Sequence, residues 1–263
     1  MKSSMRLLYA SVGFGILFTC NAFAEDNNLK YSLSLVTMSM DYNENQDGTW
    51  LDSETAALGK IYGYDMSFGY LFNRDEKSVD EIYLDVMSLS GNTAYDGYVR
   101  GTSTPLKGTT SDFFVDASLG YKHTIRLDNR FDCFMGIGLG YHAWDRKLSS
   151  YQDELYEWKS IRPSIGASIN IEKFNAGVSL EYQYGFDTIM HASDTGDTYK
   201  LGGADILKIG FPIRYNYAQK LEFFTQYTYA SQTIKHSNVV NNLLEPDSTN
   251  NQNYLQIGAT FKF

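Results

Sequence analysis

The sequence predicts an all-β fold: a transmembrane antiparallel up-and-down β-barrel of about ten strands, preceded by a cleavable signal peptide. Three observations predict it. Apolar residues alternate with small or polar ones along most of the chain, the period of a strand with two unlike faces. The connections between these stretches are alternately short and long, as in a barrel with turns at one rim and loops at the other. The chain also ends on an alternating strand whose last residue is aromatic, Phe263.

Composition narrows the field in the same direction. Aromatics make up 15% of the chain, with 21 Tyr and 16 Phe against only 4 Pro, which excludes a disordered or collagen-like polymer. No window after residue 24 holds the 18 apolar residues that a membrane helix needs. A formal charge of −9 argues against a nucleic-acid partner, because phosphate neutralisation needs basic surface. Two Cys build neither a disulfide framework nor a thiolate zinc centre. No metal and no cofactor is expected.

Taken in order, the first element is an address. Lys2 and Arg6 precede the apolar run 7–18, and Ala22-Phe23-Ala24 gives a small-x-small cleavage site before Glu25. The predicted organisation is therefore a signal peptide at 1–24 and a barrel at 25–263. Cleavage removes Cys20, leaving Cys133 as a lone thiol, and makes the charge two units more negative. A lipoprotein signal through Leu17-Phe18-Thr19-Cys20 is the weaker alternative, since Thr19 is a poor residue before a lipidated Cys.

Ten strands follow. The clearest alternation is Phe174-Ala176-Val178-Leu180-Tyr182-Tyr184-Phe186, with Tyr62–Phe72 close behind. Phe113–His123, Phe131–Trp144, Ser160–Ile171, Leu207–Tyr217, Leu221–Ser231 and Tyr254–Phe263 repeat the pattern, and Leu29–Tyr42 and Glu81–Ser90 are noisier. In Leu29–Tyr42 the apolar phase shifts near Leu35-Val36, which suggests a β-bulge. Pro163 and Pro212 each remove a ladder donor, so bulges are expected there too. Short turns fall at Asn73-Arg74-Asp75, Asp128-Asn129-Arg130, Glu172-Lys173 and Ala218-Gln219-Lys220. Long polar connections fall near 43–58, 91–112, 145–159, 187–204 and 232–252.

Periodicity alone does not say which face is inside. Volume does. About five large apolar side chains on each of ten strands cannot share one narrow lumen, so the apolar face is assigned to lipid.

The last strand carries the most specific signal. Leu255, Ile257, Ala259, Phe261 and Phe263 alternate and end on an aromatic. On these residues the chain resembles the Gram-negative outer-membrane β-barrel proteins, and within them the uncharacterised outer-membrane β-barrel domain family. The resemblance implies an integral outer-membrane location, a membrane of lipid and lipopolysaccharide as partner, and recognition of the C-terminal strand by the barrel-assembly machinery.

The inward phase of the strands carries both signs of charge: Asp65, Asp116, Lys122, Asp132, Arg162, Glu181, Lys208, Arg214 and Glu222. Buried charges persist only when paired or hydrated, so these are expected to form a network that largely plugs the lumen. Their alternative role is to line a narrow porin-like channel for ions or small solutes. Trp144 and Trp158 are assigned to an interfacial girdle at the outer rim. Cys133 falls on the lipid-facing phase. The first long connection, with Glu44, Asp47, Asp52 and Glu54 and no basic residue, and the fourth, with Asp187, Asp194, Asp197 and Asp205, read as long acidic extracellular loops.

Four histidines leave a catalytic reading open: His123, His142, His191 and His236. The strand count resembles the omptin proteases, but their Asp-x-His arrangement is absent, and His191-Ala192-Ser193-Asp194 has another order. His191-x-Ser193 is similar to the His-x-Ser of lipid A deacylases, where Asp205 would stand for their Glu. That makes a lipid-modifying hydrolase the third reading. Those enzymes resemble eight-stranded barrels with the site on the lipid-facing wall, whereas this motif falls in a predicted loop. No catalytic residue is assigned, and the expectation is a structural or surface-interaction protein that is not an enzyme.

Overall fold

The structure is a computed structural model that describes residues 28–98, 104–149 and 152–263. The expected signal segment 1–24, with Lys2, Arg6 and Cys20, lies outside the described residues.

Eleven strands are present and, among the described residues, no helix. They are β1 (Leu29–Gln46), β2 (Thr49–Phe72), β3 (Ser78–Tyr98), β4 (Pro105–Arg126), β5 (Phe131–Lys147), β6 (Asp153–Ile171), β7 (Phe174–Ala192), β8 (Thr198–Lys200), β9 (Ala204–Ala218), β10 (Leu221–Ile234) and β11 (Asp247–Lys262). Each pairs antiparallel with its neighbour, and β11 returns to β1 along an unbroken seam from Lys30↔Lys262 to Asn45↔Asp247. β8 only extends the upper end of β7, against Ile189–His191. The remaining ten strands close the barrel, so no edge runs the length of the sheet.

Apart from β8, the strands are 14 to 24 residues long, well beyond the roughly 9–11 that cross a bilayer. The excess lies at one end, where the polarity of the wall reverses. On β1, Leu33 and Leu35 face outward, Leu35 75% exposed, while Ser32 and Ser34 face inward. Past Val36 the apolar residues Met38, Met40 and Tyr42 turn inward, and Ser39, Asp41 and Asn43 line the outside. The lower barrel is apolar outside, as lipid demands. The upper part of β1 is polar outside and apolar within, as water demands, and its inward side chains pack beside buried Gln232, Asn250 and Gln252 of β10 and β11.

This reversal accounts for the phase shift at Leu35-Val36. The expected bulge is absent: β1 stays in register with β11 across it. The irregularity is on the facing strand, where Met38 pairs with Ile61 but Met40 with Ala56, so residues 57–60 bow outward. Gly59 turns the chain there at φ 91°, its N–H donating to Thr37 Oγ1 at 2.7 Å. The extra residues let both Ala56 and Ile61 point into the core. Pro163 and Pro212 cause no bulge either, since Ile137↔Pro163 and Gln226↔Pro212 continue the flanking register.

Most of the expected long loops are strand. The connection expected at 43–58 is a two-residue turn, Asp47-Gly48, with both residues at positive φ (50° and 78°), the geometry of the twist-matched hairpin turn. Strand also extends to Tyr98 and back from Pro105, to Lys147 and back from Asp153, and to Ile234 and back from Asp247. At the opposite rim the expected short turns are present. Asp75 accepts the Lys77 and Ser78 N–H groups, and Asp128 accepts those of Arg130 and Phe131. These backbone donors hold both carboxyls below the usual carboxylate range.

Candidate functional site

The lumen is stratified, and its layers differ in chemistry. At the short-turn end, Glu81 bridges Lys30 and Lys122 at 2.6 Å each, and Glu222 meets Lys262 at 3.0 Å and Arg214 at 3.5 Å. Higher in the membrane-level lumen, Arg162 donates to both oxygens of Asp116, at 2.5 and 3.3 Å. His142 Nδ1 lies 3.1 Å from the same carboxylate, and Lys208 stands 3.9 Å from both Asp116 and Glu181. Asp65 accepts from Gln256 at 3.0 Å and Asp132 from Asn170 at 2.8 Å.

All nine charged residues singled out in the sequence thus face inward, but they form separate groups. Asp116, Arg162, Lys208 and Glu181 meet; Lys122, and the pair Arg214–Glu222, belong to the lower group; Asp65 and Asp132 are held by amides. Lys30, Glu81, Asp85, Lys262 and His142 also belong to these groups, with Asp85 beside Asp65, and none of them is singled out in the sequence as a lumen residue. Parity places each on the inward phase, but Lys30, Glu81 and Asp85 lie on the two noisiest strands, and a lone histidine reads equally as a catalyst.

Above the charges lies an apolar layer. Met38, Ile61, Trp144, Tyr199 and Met190 are fully buried, with Val36, Leu89, Phe114, Trp158, Ile206 and Ala230 among them. Trp144 stacks between Phe114 and Tyr156 at ring separations of 5.4 and 5.3 Å, with Tyr42 edge-on at 5.0 Å. His142 stacks on Trp158 at 4.0 Å. The two tryptophans are therefore not girdle residues. Both sit on the inward phase of strands that have already left the bilayer, where water outside drives apolar groups in.

The third layer caps this core. Arg146 is buried, its guanidinium 4.6 Å from the centre of the Tyr42 ring. Its Nε donates to Glu54 at 2.9 Å and its Nη1 to Glu44 at 2.7 Å and Glu154 at 3.0 Å, while Nη2 stands 3.5 Å from Asp52. Glu44, Asp52 and Glu54 are therefore not a solvated acidic loop, because their strands extend past the membrane with these positions inward. The Thr93 hydroxyl lies 3.0 Å from Glu54 and 2.9 Å from Asp112 and ties the two carboxyls together. This layer stands above the lipid belt, and burial dominates it. Burial and Glu44 push Asp52 up to about 8, and burial and Glu54 push Asp112 up to about 7. Among the described residues, no group of three or more His, Cys, Asp or Glu is arranged to hold a metal ion.

The His-x-Ser motif does not assemble as a hydrolase pair. His191 Nδ1 bonds Thr198 Oγ1 at 2.7 Å, and Ser193 Oγ accepts from the Asp153 N–H at 2.8 Å. Cys133 is free and half-buried on the outward phase.

No protein-family model and no curated protein sequence matches the chain. Among solved structures, the Escherichia coli outer-membrane protease OmpT is similar at TM-score 0.57 and 11% identity, over 90% of this chain and 97% of that one. The transport unit of the E. coli autotransporter AIDA-I has TM-score 0.47 and 11% identity, over 94% of each chain. The attachment invasion locus protein Ail of Yersinia pestis has TM-score 0.35 and 12% identity, over 90% and 99%. With its apolar outer belt and closed ten-stranded wall, the chain has the fold of the outer-membrane β-barrels. One expectation is corrected here. The exclusion of enzymes is withdrawn, because this fold is shared with a protease. At 11% identity the likeness is of fold alone and transfers no catalytic residue.

Proposed function

We propose that this protein is a closed, non-conducting barrel that presents its water-facing extension as a rigid surface for interaction at the cell exterior. One observation carries the reading: the apolar layer around Met38, Ile61 and Trp144, packed across the lumen above the charged groups. Water and ions need an open path, and at this level the apolar side chains and the neighbouring Gln232, Asn250 and Gln252 are packed to near-zero exposure. Two further features support an exposed, rigid working surface. The rim of the tallest strands carries exposed Trp50 and Tyr98 in ring contact at 6.0 Å. The two-residue turn Asp47-Gly48 holds the Trp50 side of that rim. Outer-membrane lipid and lipopolysaccharide are the partners of the belt in this reading, and the barrel-assembly machinery reads the strand from Leu255 to Phe263.

The test is single-channel recording of the refolded protein in a planar bilayer, with folding verified by heat-modifiable migration on a gel. Folded protein is expected to be silent. Discrete, stable openings whose ion selectivity changes in Arg162→Glu or Arg214→Glu would overturn the proposal in favour of a channel.

A further inference from the structure

The connection between β10 and β11, residues 235–246, does not project from the barrel but folds down over its mouth. Its tip turns through Asn241 and Asn242, both at positive φ (52° and 65°), with Val240 and Leu243 exchanging backbone hydrogen bonds at 2.9 Å. Both of those side chains pack on the apolar layer. The segment is tied along one side to the connection around β8. Gly202 N–H donates to His236 O at 3.1 Å, Asn238 N–H to Lys200 O at 3.1 Å, and Asn241 Nδ2 to Asp197 at 3.0 Å.

Its last contact is different in kind. Glu245 is buried, with its backbone N–H on Ser237 Oγ at 2.9 Å and its carboxyl oxygen accepting from the Tyr156 hydroxyl. Around it stand Tyr42 and Glu44 of β1, Arg146 of β5, and Glu154 and Tyr156 of β6. Asp52 and Glu54 of β2 hold the far side of the same guanidinium. Arg146 already serves Glu44, Glu54 and Glu154 through hydrogen bonds. Glu245 therefore enters a buried ring with more carboxylates than cations.

We propose that residues 235–246 form a proton-operated lid over the barrel mouth, shut while Glu245 is protonated and released when it ionises. The balance follows from burial. Desolvation, Glu44 and Glu154 all hold the Glu245 proton in the closed state, well above the usual carboxyl range, whereas in an open lid the group titrates normally. Closure is therefore fully favoured below the open-state value and weakens as pH rises toward the closed-state value. Across that window the closing equilibrium changes by about tenfold per pH unit for one linked proton. The lid stands independently of whether the lumen conducts.

The test is amide hydrogen exchange of the refolded chain in detergent micelles at pH 5 and pH 8, corrected for intrinsic rates, with the β1–β11 seam as internal reference. Protection of residues 235–246 should fall at least tenfold at pH 8 while the seam stays unchanged, and Glu245→Gln should stay protected at both. If that variant does not fold, Glu154→Gln should make the loss of protection at pH 8 smaller, because removing this carboxylate lowers the closed-state value of Glu245 toward the open-state one. Equal protection of the wild-type lid at both pH values, or the same pH dependence in Glu245→Gln, would overturn the proposal. An undiminished loss in folded Glu154→Gln would do the same.

Discussion

Arg146 shows how much a single position depends on its setting. It is a buried cation among acids, and its contribution lies less in attraction than in the charge imbalance its removal would leave. Arg146→Met should destabilise the barrel by about 3–5 kcal/mol, read as a lower urea midpoint for loss of the heat-modifiable band. Arg146→Lys should recover only part of this, because an ammonium cannot reproduce the fork that engages Glu54 and Glu44 together. A variant as stable as the wild type would mean the carboxyls are neutral without it. At this scale the sequence was legible by parity. Parity alone puts Trp144, Arg146 and Trp158 inward, yet a reading that expects aromatics at the rim to anchor in lipid assigns both tryptophans to the wrong face. What parity does not supply is the partner: Glu54 and Arg146 are 92 residues apart, and only closure of the sheet brings them together.

The β1–β2 hairpin shows the same limit for elements. Its upper half has low hydropathy, so it reads as a polar loop even though Asp47-Gly48 is a strong short-range hairpin signal. The alternation continues through Met38, Met40 and Tyr42 and on the facing strand through Ala56 and Glu54, only with the faces exchanged. Gly48 occupies φ 78° with open space where a Cβ would stand, so the cost of substitution there is conformational and not steric. Gly48→Val should cost about 1–2 kcal/mol, seen as a modest drop in the same urea midpoint. No measurable change would mean that the tip relaxes to another turn. The turns at the other rim were legible because Asn, Asp and Lys there interrupt long, clean alternations.

For the whole molecule, the ten-strand count and closed antiparallel order follow from alternation and connection parity, whereas the height of the barrel does not. At roughly 3.3 Å per residue β2 is about 80 Å long. A tilt near 40° makes it roughly 60 Å tall, about twice the hydrocarbon thickness. One chain thus meets two solvents in succession, and the volume argument that excludes a soluble barrel applies only to the lower half. Single cysteines placed on the outside of β1, with Cys20 and Cys133 replaced, test the boundary. In lipid vesicles, Asp41→Cys should react with a water-soluble maleimide at least about tenfold faster than Leu33→Cys, given the exclusion of water from the hydrocarbon core. Equal rates would place the reversal of polarity elsewhere.

The capping layer has a consequence for assembly. Glu44, Asp52 and Glu54 belong to the β1–β2 hairpin, whereas Arg146 and Glu154 belong to the β5–β6 hairpin, on the far side of the lumen. While the sheet is still an open ribbon, the first hairpin holds three acids with no cation from this layer, and the second holds its cation with a single acid. Only curling the ribbon shut satisfies both at once. Charge balance at the mouth is thus a property of the finished circle and of no part of it, so a barrel arrested before closure lacks much of the stability of the completed one.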